Sequence, residues 1–409
     1  MTNFQDPHRQ VSYLQQCLSN DKKPLGLFLG AGCPMAIRAG GVSGRNAQPL
    51  IPDIDGMTKV VREKLSKDEE CGPLLKIIDE HFTKDRRSDV NVEGMLSHIR
   101  ALRLVAGNDH VRGLSAANLD KLDERVCDII HKLADKTLPD DTETPYHHVA
   151  SWVNAIQRET PVEVFTTNYD LLMEQAFEDY RVPYFDGFAG ARKPFFDVRA
   201  MEKDKLPPRW ARLWKLHGSI NWYQVQGKGV FRGAISEEGL KRVIHPSHLK
   251  YEESRRMPYL AMIDRLRAFL RQPSATLVLC GHSFRDEHLN EVLVQGLQGT
   301  QSAIAFALLF GEIAEYPQAA ELARDRSNLS LLAEDGAIIS STACTWLERN
   351  AESAARDARR WVVWTPVDPA DEKAKRKAVL QLGDFAAFGQ FLCELLGRGR
   401  QPSEVPDAK

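Results

Sequence analysis

Leu25-Gly26-Leu27-Phe28-Leu29 runs without a break into Gly30-Ala31-Gly32-Cys33, and this stretch decides the fold. An apolar run that opens on a glycine turn is the pattern of a buried strand feeding a tight βα turn. Three more apolar runs end in the same manner. Val162-Glu163-Val164-Phe165 leads to Thr166-Thr167-Asn168-Tyr169-Asp170, Trp214-Lys215-Leu216 leads to His217-Gly218-Ser219, and the run 275–280 leads to Gly281-His282-Ser283. In open α/β sheets ligands sit at the carboxyl ends of the strands, so four polar motifs placed there predict one shared pocket.

Helical patterns at 171–177 and 289–297 lie between these runs, and apolar segments at 303–310 and at 329–332 with 337–339 read as further strands, the last two as one. Strands alternating with helices predict an α/β fold built on a doubly wound, parallel, Rossmann-like sheet. Residues 39–55, rich in glycine and proline, read as a long loop. From Gly56 to Arg158 the pattern changes: Val60-Val61-Leu65, Met95-Leu96-Ile99-Leu102 and Val126-Ile129-Ile130-Leu133 carry the three-to-four spacing of helices. The expected organisation is 1–55 as the first part of the Rossmann domain, 56–158 as a large helical insertion and 159–349 as the remainder of that domain. Residues 350–409 read as C-terminal helices, with an amphipathic helix near 385–396 and a disordered tail from Arg398.

Bulk properties narrow the class. A chain of 409 residues is long for one core, which agrees with a domain carrying an insertion. A net charge of -2 argues against broad electrostatic binding to nucleic acid or an anionic membrane. The longest apolar run, 303–310, is too short to span a bilayer, and MTNFQDPHRQ has neither the basic start nor the apolar stretch of a signal peptide. Seven cysteines form no CxxC pair, so they read as reduced thiols of a cytoplasmic protein from which no zinc ribbon can be built.

Each motif suggests a chemistry. Gly30 allows a tight turn, and Gly32 lets the backbone approach a pyrophosphate while a following helix aims its N–H groups at it. The third glycine of that fingerprint falls at Met35, and a plain glycine turn is the alternative. Asn168 can hold a ribose hydroxyl or a water, with Asp170 orienting the amide or the ribose; an Asn/Asp turn capping the next helix is the alternative. His217, at the sheet edge beside Gly218, is the natural base for a sugar hydroxyl or a water. Gly281 and Ser283 offer another phosphate-sized turn. Tyr146-His147-His148 opens an apolar helix without matching metal-ligand spacing and reads as structural.

The order GAG, TNYD, LHG, GHS resembles the sirtuin fold family over residues 20–60 and 160–345, and more narrowly the sirtuin-like domains of bacterial antiphage defence proteins. The resemblance implies NAD+ as substrate. It places Asn168 and His217 beside the nicotinamide riboside, with Asp170 matching the family's aspartate two residues on. Gly30, Ala31, Gly32 and Cys33, with Thr167, Gly281 and Ser283, then fall around the dinucleotide. Ile51-Pro52-Asp53 resembles the family's IPD segment and makes Asp53 a candidate. Three departures stand out: the two CxxC pairs of the deacylase zinc domain are missing, Pro34 replaces the usual serine, and the helical insertion replaces a short connection. Zinc-free relatives of this kind imply NAD+ hydrolysis to nicotinamide and ADP-ribose rather than deacylation, through an oxocarbenium-like transition state. They also imply a HerA-type ATPase as partner and a homo-oligomer or ring-shaped hetero-complex. No P-loop is present in the chain. An NAD- or ADP-ribose-binding scaffold without catalysis is the competing expectation.

Overall fold

The computed structural model describes residues 3–38, 48–87, 90–203, 205–225, 229–233, 241–244, 258–356, 360–368 and 375–397. A ten-stranded sheet forms its centre. In chain order the strands are β1 (Phe4–Gln5), β2 (Leu25–Leu29), β3 (Val162–Thr166), β4 (Tyr184–Phe185) and β5 (Ala211–Lys215). They continue with β6 (Thr276–Cys280), β7 (Ile304–Leu308), β8 (Leu329–Leu332), β9 (Gly336–Ile339) and β10 (Thr342–Trp346). Side by side they lie in the order β1-β10-β9-β8-β7-β6-β2-β3-β5-β4. Every pair from β8 to β4 is parallel, as the alternation of strands and helices predicts.

Two details depart from expectation. The segment read as one strand at 329–339 is two, because Glu334-Asp335-Gly336 turns the chain back and β9 runs antiparallel to both β8 and β10. The stretch after Arg349, read as helical, holds strands at Val362–Pro366 and Arg376–Leu380 before its final helix. The reason is local: Val362 and Trp364 face inward while Val363 faces solvent, the two-residue period of a strand. The tail from Arg398 and residues 39–47 of the predicted loop lie outside the described residues.

The sheet is buried on both faces because its residues alternate between two apolar layers. Leu25, Leu27, Leu29, Val164 and Leu213 point to one layer, and Phe28, Phe165, Trp214 and Leu277 to the other. The first layer is closed by α1 (Pro7–Ser19), α2 (Ile54–Ser66), α3 (Cys71–Lys84), α4 (Val92–Ala106), α5 (Ala116–Ala134), α6 (Pro145–Ala155), α7 (Leu172–Asp179) and a late helix, Phe385–Leu395. The second is closed by α8 (Tyr259–Leu270), α9 (Glu287–Gly299) and α10 (Pro317–Asp325); the late helix is α11. Burying each such aliphatic or aromatic side chain contributes about 1.5–3 kcal/mol. Among the described residues no helix is long and apolar enough to cross a membrane.

This topology contains a switch point. From β2 the chain moves to β3 and β5 on one side, then crosses to β6 and β7 on the other, so strand order reverses beside β2. Such a switch point opens a crevice at the carboxyl ends of the strands. Register holds those ends level: Leu29 pairs with both Cys280 and Thr166, and Thr166 with Lys215. A second, antiparallel sheet is built from segments of 188–244, and its longest strand, Gly218–Val225, starts directly after His217; the sequence reading did not anticipate it.

Candidate functional site

Four loops leave β2, β3, β5 and β6 at this level edge, and each is bonded to the next. The Gly30 amide donates to the Cys280 carbonyl at 2.9 Å, and the Gly32 amide donates to the Gly281 carbonyl at 2.9 Å. A Cβ on Gly30 would overlap the Gly281 carbonyl, so glycine is required here by the approach of the neighbouring turn. The Asn168 amide nitrogen, Nδ2, donates to the Gly30 carbonyl at 3.1 Å. The Ser219 hydroxyl donates to the Tyr169 carbonyl at 3.4 Å, and the Ile220 amide to the same carbonyl at 2.9 Å. The circle closes where His217 Nε2 meets Asp286 Oδ2 at 3.1 Å.

His217 and Asp286 are nearly enclosed, with side chains 12% and 13% exposed. Asp286 is the N-cap of α9; its other oxygen accepts the Leu289 amide at 3.3 Å. The cap fixes the carboxylate, and the carboxylate fixes the imidazole. An Nε2–H held toward Asp286 would leave Nδ1 as the basic nitrogen of the neutral ring. Sequence reasoning missed Asp286, because an acidic residue ahead of a helix reads as a cap and nothing more.

Asn168 and Asp170 are both buried. Thr166, rather than the predicted Thr167, is the threonine that shapes their loop: its hydroxyl donates to the Leu29 carbonyl at 2.8 Å and accepts the Asn168 amide at 3.0 Å. Asp170 accepts the Leu172 amide at 3.1 Å, so the turn expected of it is present. Burial pushes its carboxyl up to about 6, against the opposing pull of the Lys215 ammonium. Tyr146 also belongs here, contrary to the structural reading of its cluster. It is fully buried, and its hydroxyl, without a well-aligned hydrogen-bond partner among the described residues, faces Asn168, Asp170 and Cys33. Burial drives that phenol well above its ordinary value. Its neighbour His147 is structural, with Nε2 3.1 Å from Asp179 and Nδ1 accepting the Thr144 amide.

Other predicted positions fall differently. The thiol of Cys33 is buried and donates to the Cys280 carbonyl at 3.3 Å; burial raises it well above the usual thiol range. No α-helix follows directly on Gly32, because Pro34 starts a short 3₁₀ turn, Pro34–Ala36, and α2 begins only at Ile54. The amides of Gly30, Gly32 and Cys33 are engaged by the backbone carbonyls of Cys280, Gly281 and Gly30 in turn, rather than directed outward as a phosphate cradle. Ala31 and Ser283 are exposed at the rim, and Thr167 is half-buried. Asp53 is the N-cap of α2, accepting the Gly56 amide at 2.8 Å.

Residues 162–330 match the family model of the SIR2-like domain. No curated protein matches the chain. A solved structure described as "Structural Basis for the Mechanism and Regulation of Sir2 Enzymes" is 12% identical, covers 73% of this chain and 84% of its own, and superposes with a TM-score of 0.34. The segment 162–330 of this chain, similar to the SIR2-like domain, is the one that carries Asn168, Asp170, His217 and Asp286.

Proposed function

We propose that this chain is an NAD+ glycohydrolase that releases nicotinamide and ADP-ribose. NAD-dependent chemistry in general is what a SIR2-like segment supports, and the missing CxxC pairs turn the reading from deacylation to hydrolysis. The observation that carries the reading is the His217–Asp286 pair, which orients an imidazole at the strand edge that also holds the Asn168 amide. A pure binder has no need of an imidazole held against a buried carboxylate at that edge. That favours turnover over a binding scaffold.

In this reading Asn168 holds the ribose and the attacking water, and His217 Nδ1 takes a proton from that water. The C–N glycosidic bond breaks, a C–O bond forms from water, and nicotinamide leaves as a neutral molecule, so no strong general acid is required. Asp286 stabilises the imidazolium formed. Asp170, buried beside Tyr146, orients the amide or the ribose.

The cellular role follows the same resemblance: depletion of NAD+ in antiphage defence, under the control of a HerA-type ATPase in a ring-shaped hetero-complex or homo-oligomer. The test is incubation with NAD+ in ¹⁸O-water, alone and with such an ATPase. Label in ADP-ribose supports the reading. Intact NAD+ bound without turnover in both conditions supports the scaffold instead.

A further inference from the structure

Lys215 is the last residue of β5, two positions before His217, and its side chain is 1% exposed. An ammonium ion withdrawn from water costs several kcal/mol unless it is paired and hydrogen-bonded. This one is both. It donates to the backbone carbonyl of Asp170 and to Glu174 Oε1, the latter at 2.8 Å. Glu174 stands in the first turn of α7, the helix that Asp170 leads into, and is itself largely buried. One buried cation thus joins the strand that presents His217 to the loop that presents Asn168 and Asp170. Apolar packing alone does not demand this arrangement, since a methionine would fill much the same volume without charge.

We propose that Lys215 is a positioning residue of the site: its ammonium clamps the Asp170 carbonyl and Glu174, setting the Asn168–Asp170 loop in register with His217. The inference rests on the glycohydrolase reading for its catalytic consequence, but the clamp itself is read independently of activity. Lys215 is also the cation that holds the Asp170 carboxyl down against burial, while Glu174 acts in the opposite sense. Among the described residues, titratable groups that also face Asp170 include the Cys33 thiol, on the loop after β2, and the Tyr146 phenol, on α6.

The experiment compares the full chain with Lys215→Met, Lys215→Arg and Glu174→Gln. The Asp170 carboxyl is followed by ¹³C NMR against pH, with Asp170→Asn giving the assignment, and NAD+ turnover is measured beside it. The clamp predicts that Asp170 titrates at least about one pH unit higher in Lys215→Met, because an opposite charge has been removed. It predicts a lower titration in Glu174→Gln. It also predicts that kcat falls about 10- to 100-fold in Lys215→Met, as for a displaced reacting group, with partial recovery in Lys215→Arg. A folded Lys215→Met protein whose Asp170 titration is unmoved overturns the clamp. Should that variant not fold, an unchanged or raised titration in Glu174→Gln overturns it. Titration shifts in the variants beside a wild-type protein that never hydrolyses NAD+ keep the clamp and remove the glycohydrolase reading.

Discussion

His217 Nε2 lies 3.1 Å from Asp286 Oδ2, a contact between the loops of two strands that are not neighbours in the sheet. Because Asp286 is locked as the cap of α9, the helix positions the imidazole. Asp286→Asn keeps a hydrogen-bonding cap but removes the charge that stabilises the imidazolium. The expected outcome is a kcat about 10²- to 10³-fold lower, with NAD+ affinity nearly unchanged. Steady-state kinetics beside direct binding checks it. A loss confined to KM would place Asp286 in substrate binding instead.

Asp170 gives a pH signature. Its folded value, about 6, lies above the ordinary 3.8, so the folded state disfavours its charge. The corresponding stability is fully present below the unfolded value and is lost as pH rises through the folded one. Between pH 4 and pH 7 the native state should lose up to about 3 kcal/mol from this group. Asp170→Asn retains an acceptor for the Leu172 amide and removes the charge. Its stability relative to wild type should therefore climb over that interval in urea titrations.

Gly30 and Gly281 pack backbone to backbone. Gly30→Ala drives a methyl group into the Gly281 carbonyl and should cost about 1–3 kcal/mol, as overpacking does. Ala31, exposed beside it, should accept serine with a change within about 0.5 kcal/mol. Chemical denaturation of the two variants separates a packing role for Gly30 from a role reserved for ligand approach.

Asp53 offers a further separation. As the N-cap of α2 it should lose about 1 kcal/mol of stability on replacement by alanine and little on replacement by asparagine. If hydrolysis survives both changes, its role is the cap. A fall in activity with unaltered melting would restore the dinucleotide contact that the family resemblance implies.

The central strands were legible because a parallel strand buried on both faces must be an uninterrupted apolar run, as in Leu25–Leu29 and Thr276–Cys280. The motifs at their ends were legible for the same reason: polar residues directly after such runs have a site as their natural setting. What could not be read is what tertiary structure alone brings together. Asp286 reaches His217 only because β5 and β6 end at the same level, and Tyr146 reaches Asn168 only because α6 packs on α7, the helix after the β3 loop. The C-terminal strands were hidden by charge, since Arg376-Lys377 and the exposed Val363 blur a short two-residue period.

The most direct test of the account is NAD+ consumption by the purified chain, alone and with a HerA-type ATPase, beside Asn168→Ala and His217→Ala. The wild type should yield ADP-ribose and nicotinamide, and both variants should lose turnover with melting temperatures little changed. Turnover that persists in a folded His217→Ala protein would contradict it, because the base would then lie elsewhere.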